Sequence, residues 1–423
     1  MRRYGKSFRS IGVQEFRSAS SPHIPILALT ATATPEVVDD IQERLAFREK
    51  NVLRKSFARS NISYVVRESN KKADEIVHIL NRVPGSAIVY VRNRQRTQEL
   101  AAYLLEKGIS ADFYHAGLSA QERAEKQEAW KRGERKEAKG EKHGTRVIVA
   151  TNAFGMGIDK PDVRVVIHHD LPDTIEAYFQ EAGRAGRDEK QAFAVLLYDP
   201  SDKTKARKRI ADNYPDEETL HNVYHKTCNY LGIGADSGQG ATFFIDMFDL
   251  CKKMHLPVFP TYSALHLLSQ MGYFSFDEEQ EIQPRVRLRI SRRELEEYRL
   301  TDEQNSLLEH LMREYAGIFT DLQYVHKIED KHQELVALAQ RRIIDYVPRT
   351  KANVLRLTVN RQAQIRIPEE FYKERKNHYA SKLKAMVEYA ENKHYCRSQV
   401  LLSYFGENDA PTCGTCDICR SLK

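Results

Sequence analysis

Two groups of residues in this chain have the types and spacing for chemistry. The first is "CRSQVLLSYFGENDAPTCGTCDIC", with Cys396, Cys413, Cys416 and Cys419. Two overlapping C-x-x-C pairs bend three thiolates around one point. A fourth thiolate, returned by a helix starting near Cys396, completes a tetrahedron of the kind Zn²⁺ takes at ~2.3 Å per Zn–S bond. An iron–sulfur cluster or a redox pair uses the same residue type. With no His between Cys396 and Cys419 and no evident open ligand position, the set favours a closed structural zinc site. The second group is "QEAGRAGRD", in which Arg184 and Arg187 are three apart on one side of an expected helical turn, with Gly183 and Gly186 clearing space beside them. Two guanidiniums on one face suit a polyphosphate whose charge grows in a transition state. The loop "ATNAFGMGIDKPDV" precedes it. There Gly155 and Gly157 permit close backbone approach and positive φ, and Thr151 and Lys160 can meet phosphate oxygens.

One further candidate fails on context. Gly5-Lys6-Ser7, in "MRRYGKSF", looks like the end of a phosphate-binding loop. Such a loop must follow a buried strand and open a helix. Here only Met1 to Tyr4 precede it, the first Gly of the pattern is absent, and Phe8 to Ser21 show no apolar stripe. The segment reads as a polar N-terminal loop.

The elements that must position these groups are legible from the apolar pattern. "SAIVYV", "ISADFYHAG", "TRVIVAT", "VRVVIHHD" and "QAFAVLLYD" read as strands, alternating with amphipathic helices such as "QRTQELAAYLLEKG". Continuous apolar strands between helices predict an open parallel α/β sheet, and loops at strand ends are where such sheets bind ligands. Upstream, "IPILALTATAT" reads as a strand before a helix entered at Thr34-Pro35, and "KSFARSNISYVV" as loop-like. Lys131 to Gly144 reads as a charged insertion. After Asp199 three amphipathic helices precede "YFSFD" and "VRLRIS", expected to pair as a hairpin in a winged-helix outline whose third helix is available to enter a groove. "NVLRLTV" and "AQIRIP" are expected to form a second hairpin, and a long basic helix, Glu369 to His394, leads to the cysteines.

The 423 residues carry a net charge of +7. Of this, Arg341 to Val400 holds 14 Lys/Arg against 6 Asp/Glu; such a stretch can be a solvated helix face, and the interleaved Tyr372, Tyr379 and Tyr389 raise the expectation of a nucleic-acid face. Cys228 and Cys251 sit singly in apolar helical patterns and read as small core residues. No apolar run approaches the ~18 residues of a membrane span, so no membrane partner is expected. Nothing indicates secretion, so the thiols are expected free or metal-bound.

In this order, "LALTATAT", "YHAGLS", "NAFGMGIDKP" and "QEAGRAGRD" resemble the later motifs of the RecQ family of DNA helicases, and "CRSQVLLSYFGE…CGTCDIC" resembles that family's zinc-binding module. The resemblance covers most of the chain and is weakest for Thr219 to Pro368. It implies two RecA-like lobes that hydrolyse ATP at their interface and move 3′ to 5′ on single-stranded DNA, in repair and recombination. Thr30, Ala31 and Thr32 would then couple ATP to DNA. Asn93, Arg94, His115 and Thr151 would touch the DNA backbone. Gly157 and Asp159 would border the nucleotide, and Gln180, Arg184 and Arg187 would face the γ-phosphate, one arginine acting as the finger. "RRYGKSFR" resembles the family's aromatic-rich DNA-sensing loop, with Tyr4 in place of the usual Trp and with Phe8 and Arg9 matching.

The departures shape the expectation. The family's phosphate loop and D-E-x-H box precede the threonine-rich motif, and neither is in this sequence. "SFARSNI" lacks the linker's usual Asp and Pro, and Pro200 to Glu370 separate the second lobe from the zinc module, which in the family follows at once. The expected domains are a remnant of lobe 1 with linker (1–56), lobe 2 (57–212), a winged-helix-like domain (213–292), a helical and hairpin region (293–368) and the zinc module (369–423). Expected ligands are structural Zn²⁺, with ATP and Mg²⁺ only beside a complete lobe 1. Expected partners are single-stranded or tailed duplex DNA and a single-strand-binding protein, in a cytoplasmic, nucleoid-associated setting. The competing reading is a non-enzymatic DNA-binding protein that has lost its motor lobe.

Overall fold

The computed structural model describes residues 27–30, 32–45, 47, 49–133, 135–136, 142–155, 158–282, 285–290, 292–295, 298–314, 323–324, 331–347 and 350–422. The chain divides into two compact units, residues 1–210 with 374–423, and residues 211–373.

The first unit is built on six strands: β1 (Ile62–Glu68), β2 (Ser86–Tyr90), β3 (Ala111–Tyr114), β4 (Val147–Ala150), β5 (Val163–His168) and β6 (Ala192–Tyr198). Their order is β1-β6-β5-β2-β4-β3, and every pairing is parallel. Helices α1 (Pro35–Arg44), α2 (Lys72–Arg82), α3 (Arg94–Glu106), α4 (Ala120–Arg132), α5 (Ile175–Ala182) and α6 (Ser201–Asn213) accompany it. The strands are apolar without alternation because both faces are covered. Ile88 and Tyr90 pack into one core while Ala87 and Val89 pack into the other, and Ile148/Ala150 and Val147/Val149 divide the same way. Each fully buried Ile or Val contributes about 1.5–3 kcal/mol. Thr34 caps α1, its Oγ1 accepting from the Val37 amide with Pro35 in the first turn, as the sequence predicts.

Two expectations upstream are corrected. Leu27 to Thr30 form no strand, and Leu27 and Leu29 are exposed; no described strand lies beside them to pair with. "ISYVV" is a strand and not a loop: it is edge strand β1, paired from Ile62↔Ala192 to Glu68↔Tyr198. Its partner is far along the chain, so only the β-branched residues marked it locally.

The second unit has the element order of a winged helix. Helix Glu217–Tyr230, strand Thr242–Ile245, helices Met247–Met254 and Val258–Gln270 and strand Phe274–Ile282 precede strand Thr350–Leu357. The expected hairpins are wrong in their partners. Phe274–Ile282 pairs antiparallel with Thr350–Leu357, which also pairs with Thr242–Ile245. Arg285–Leu288 pairs instead with Ile344–Val347 and Gln323–Tyr324, over a separate small core that includes Leu308, Leu311, Leu335 and Leu338. "AQIRIP" forms no strand, and Ile365 packs into the helical core. Several short strands here share one alternation, so local pattern cannot choose among partners. Burial of Phe274, Phe276, Leu355 and Leu357 against the three helices decides it. Cys228 and Cys251 are buried in this core, as expected, and burial raises both thiol pKa values.

Candidate functional site

Helix α5 carries Gln180 and leads into the turn that bears Arg184 and Arg187, and its apolar side is anchored. Thr174 caps it, with Oγ1 accepting from the Ala177 amide at 3.1 Å. Ile175, Tyr178, Phe179 and Ala182 are buried, which leaves Gln180 facing outward. Gln180 Nε2 donates to Thr32 Oγ1 at 2.5 Å, joining the arginine-bearing segment to the threonine segment.

The helix ends at Ala182, so Arg184 and Arg187 lie on a turn and not on a helical face. Arg187 Nη1 sits 2.7 Å from Asp159 Oδ1. Arg184 points at the neighbouring loop: a Cβ on Gly155 would meet Asn152 O at 3.2 Å and Arg184 Nη2 at 3.5 Å. Gly155 thus allows the close approach that the sequence implies. Gly186 has another role than clearing space for arginines. Its φ is +55°, and a Cβ there would meet Asn61 Nδ2 at 2.6 Å and Ala192 Cβ at 2.9 Å. Lys160 also departs from expectation. It is buried, its Nζ donating to Lys131 O at 2.8 Å and pairing with Asp162 at 3.1 Å, so it braces the loop.

Beneath the turn, the Tyr90 hydroxyl donates to Phe154 O at 2.8 Å, and its ring stacks on His168 at 5.3 Å. His168 Nε2 lies 2.9 Å from Glu181 Oε2. Burial pushes the Tyr90 phenol pKa far up, so it remains a proton donor.

A second set converges at the ends of the adjacent strands β2, β4 and β3. Asn93 caps α3, Oδ1 accepting from the Gln95 amide at 2.8 Å. Gly117 sits between the next two: a Cβ there would meet Arg94 Nη1 at 3.2 Å and His115 Nδ1 at 3.3 Å. His115 is buried against Phe113, and burial, then the Arg94 guanidinium, lowers its pKa, leaving the ring neutral at pH 7. Thr151 follows β4, its amide donating to Tyr114 O at 3.1 Å. Arg94, His115 and Thr151 therefore share the carboxyl edge of the sheet with Asp159, Arg184 and Arg187. Tyr4, Lys6, Phe8, Arg9, Ala31 and Gly157 lie outside the described residues.

The four cysteines come together. Their sulfur atoms all lie within 4.8 Å of one another. Cys396 and Cys413 Sγ are 3.5 Å apart, and Cys416 and Cys396 Sγ 4.0 Å. A tetrahedral Zn–S₄ site with ~2.3 Å bonds has edges of about 3.8 Å, so the set fits zinc. Amides of Cys413, Cys416 and Cys419 donate to the sulfurs of Cys396, Cys413 and Cys416 at 3.2, 3.3 and 3.3 Å, which stabilises thiolate charge. Burial raises the Cys413 thiol, but the Thr415 and Cys416 amides and its neighbours outweigh this and bring it to about 7. Burial pushes Cys416 up to about 12. The module is tied to β1 through Asp417, which accepts from the Val66 amide at 3.3 Å and pairs with buried Arg397 at 3.0 Å.

The expected nucleic-acid face of interleaved tyrosines does not form as read. Tyr389 is fully buried, Tyr379 packs against the same core, and Tyr372 packs in the second unit with its hydroxyl donating to Tyr214 O and Pro215 O. The tyrosines are the apolar side of the long helix and not an interleaved binding face. The third helix of the winged unit, "VFPTYSALHLLSQ", carries no Lys or Arg to meet phosphates. The sequence reading also missed Arg59 and Asn61, whose side chains hold the arginine turn. Their only local signal was two polar residues entering an apolar strand.

Residues 71–189 match the helicase conserved C-terminal domain, and residues 356–420 match the RecQ zinc-binding domain. The first match spans Asn93 to Arg187 and the second holds the four cysteines. Over 182 residues the chain is 43% identical to the ATP-dependent DNA helicase RecQ of Pasteurella multocida, covering 43% of this chain and 27% of that protein. It is 39% identical over 198 residues to the RecQ-like DNA helicase blm-1 of Caenorhabditis elegans, covering 46% and 19%. It is 38% identical over 213 residues to the putative ATP-dependent RNA helicase R290 of Acanthamoeba polyphaga mimivirus, covering 50% and 37%. The chain thus spans well under half the length of these relatives. Among the described residues no helix is long and apolar enough to cross a membrane.

Proposed function

Because these two domains and the first two of these relatives are those of RecQ helicases, we propose that this chain is of the RecQ family and serves as the C-terminal motor lobe and zinc module of an ATP-dependent 3′–5′ DNA helicase acting in repair or recombination. The observation that carries this is the Gln180–Thr32 bond beside the arginine turn, which joins the groups aimed at a γ-phosphate to the segment that couples to DNA. In this reading Arg187, with Arg184, neutralises charge that grows on the transferred phosphoryl group. Asp159 pairs with Arg187, and Gly157 borders the nucleotide. Arg94, His115 and Thr151, with Asn93 fixing the start of α3, engage the DNA phosphodiester backbone. Neutral His115 donates or accepts a hydrogen bond there without adding charge. ATP and Mg²⁺ need a phosphate loop and a D-E-x-H carboxylate, which these 423 residues do not contain. Zn²⁺ is held by Cys396, Cys413, Cys416 and Cys419, where it fixes the module's fold.

The test is equilibrium binding of the chain to labelled DNA. Duplex with a single-stranded tail is expected to bind more tightly than blunt duplex of equal length, and Arg94→Ala is expected to weaken both. Equal affinity for the two, unaffected by Arg94→Ala, would overturn the reading. Preference for single-stranded RNA over DNA would overturn its DNA assignment.

A further inference from the structure

We propose that Arg59 is a positioning residue for the arginine turn, locking it to the segment that leads into β1. The inference rests on the proposed role of Arg184 and Arg187. Arg59 Nη1 donates to Gly183 O at 3.3 Å, and Nη2 donates to Ala185 O at 3.3 Å and Gly186 O at 3.0 Å. Asn61 Nδ2 adds bonds to Gly186 O at 2.6 Å and Lys190 O at 3.0 Å. These carbonyls belong to the non-helical turn that follows α5, which ends at Ala182, so no helical ladder holds them. A cation at that end also meets the negative pole of the helix. One planar guanidinium therefore closes the backbone on both sides of Arg184, and its neighbour Asn61 continues to Lys190. The same segment is held from its other side. Glu407 accepts from Ser56 Oγ at 2.6 Å and the Phe57 amide at 2.7 Å, and the Phe57 ring packs on Phe405 at 4.9 Å and Phe179 at 6.2 Å. Displacing residues 56–61 moves the carbonyls that set where Arg184 and Arg187 point. A lysine cannot reproduce a fork that spans three carbonyls.

Hydrogen exchange on the whole 423-residue chain reads this without any enzymatic activity. Amides of Arg184, Ala185, Gly186 and Glu189 are bonded within or beside the turn. In Arg59→Gln they are expected to exchange about tenfold faster or more, as charged hydrogen bonds are lost, while β2 and β4 keep their parental protection. Arg59→Lys is expected to restore that protection only in part. Unchanged exchange in the turn, or acceleration spread evenly over the sheet, overturns the proposal. In an ATPase-competent assembly, Arg59→Gln is expected to lower kcat by about tenfold to a hundredfold with KM little changed, since geometry and not binding is lost. An assembly whose parent chain shows no ATPase would sink the helicase reading, while the exchange result still decides Arg59.

Discussion

Single side chains here differ in what removing them costs, and burial sets the difference. Cys416 is buried inside the sulfur cluster, and its loss leaves three thiols and no closed tetrahedron. Purified parent protein is expected to contain about one zinc per chain, and Cys416→Ser to lose the metal with most of the soluble yield, because metal binding and folding are linked. Metal analysis of both proteins checks this; zinc retained by the variant would refute the assignment. Arg187 is the opposite case. Its pair with Asp159 is exposed at 38% and 78%, so Arg187→Ala is expected to change stability by no more than about 1 kcal/mol. On its proposed role as an arginine finger, the variant is expected to fall by ~10³–10⁵ in rate in an assembly that hydrolyses ATP. Thermal melting beside steady-state rates separates the two effects.

Between elements, the main tie to test joins α5 to the long helix Glu369–Glu391. Glu176 on α5 is 2% exposed, and Lys382 Nζ reaches its Oε1 at 2.7 Å. Burial raises the Glu176 pKa, but the bond and charge of Lys382, with the residue's own backbone amide and Tyr404, together outweigh it, so the carboxyl titrates below its ordinary value. A carboxylate depressed in the folded state contributes stability above its unfolded pKa, and that contribution is lost as pH falls through the folded one. Parent stability is therefore expected to decline below about pH 5 partly through this pair, and Glu176→Gln to flatten that part of the profile. At pH 7 the variant leaves a partly buried ammonium without its carboxylate and is expected to cost about 1–3 kcal/mol, measured by urea unfolding. An unchanged midpoint would show that Lys382 finds another partner.

At the scale of the whole molecule, the expected behaviour is a grip without its own engine. The chain alone is expected to hydrolyse ATP no faster than background, and Lys6→Ala to leave nucleotide binding unaltered, because Gly5-Lys6-Ser7 lacks the rest of a phosphate loop. Robust hydrolysis lost on Lys6→Ala would reverse that reading. DNA binding is expected to weaken steeply from 50 to 200 mM salt, as phosphate contacts release counterions, and a flat titration would count against phosphate contacts. The sequence by itself determined the parallel sheet, the loops at its carboxyl edge and the cysteine set, since apolar runs, glycines and C-x-x-C spacing are local patterns that need no partner to be read. It also singles out Arg184 and Arg187 as candidates, because the two guanidiniums follow a Gly-rich loop at a strand end. What it could not determine were relations between distant segments. Strand β1 exists because residues 62–68 meet residues 192–198, and Phe274–Ile282 pairs with Thr350–Leu357 because apolar side chains from both fill one core. Tyr389 and Lys160 were misread from composition, since an aromatic or a lysine looks the same in sequence whether it faces solvent or a carbonyl. Arg59 was invisible for the same reason: its three acceptors lie over a hundred residues away, and only the tertiary fold brings the end of α5 within reach of its guanidinium.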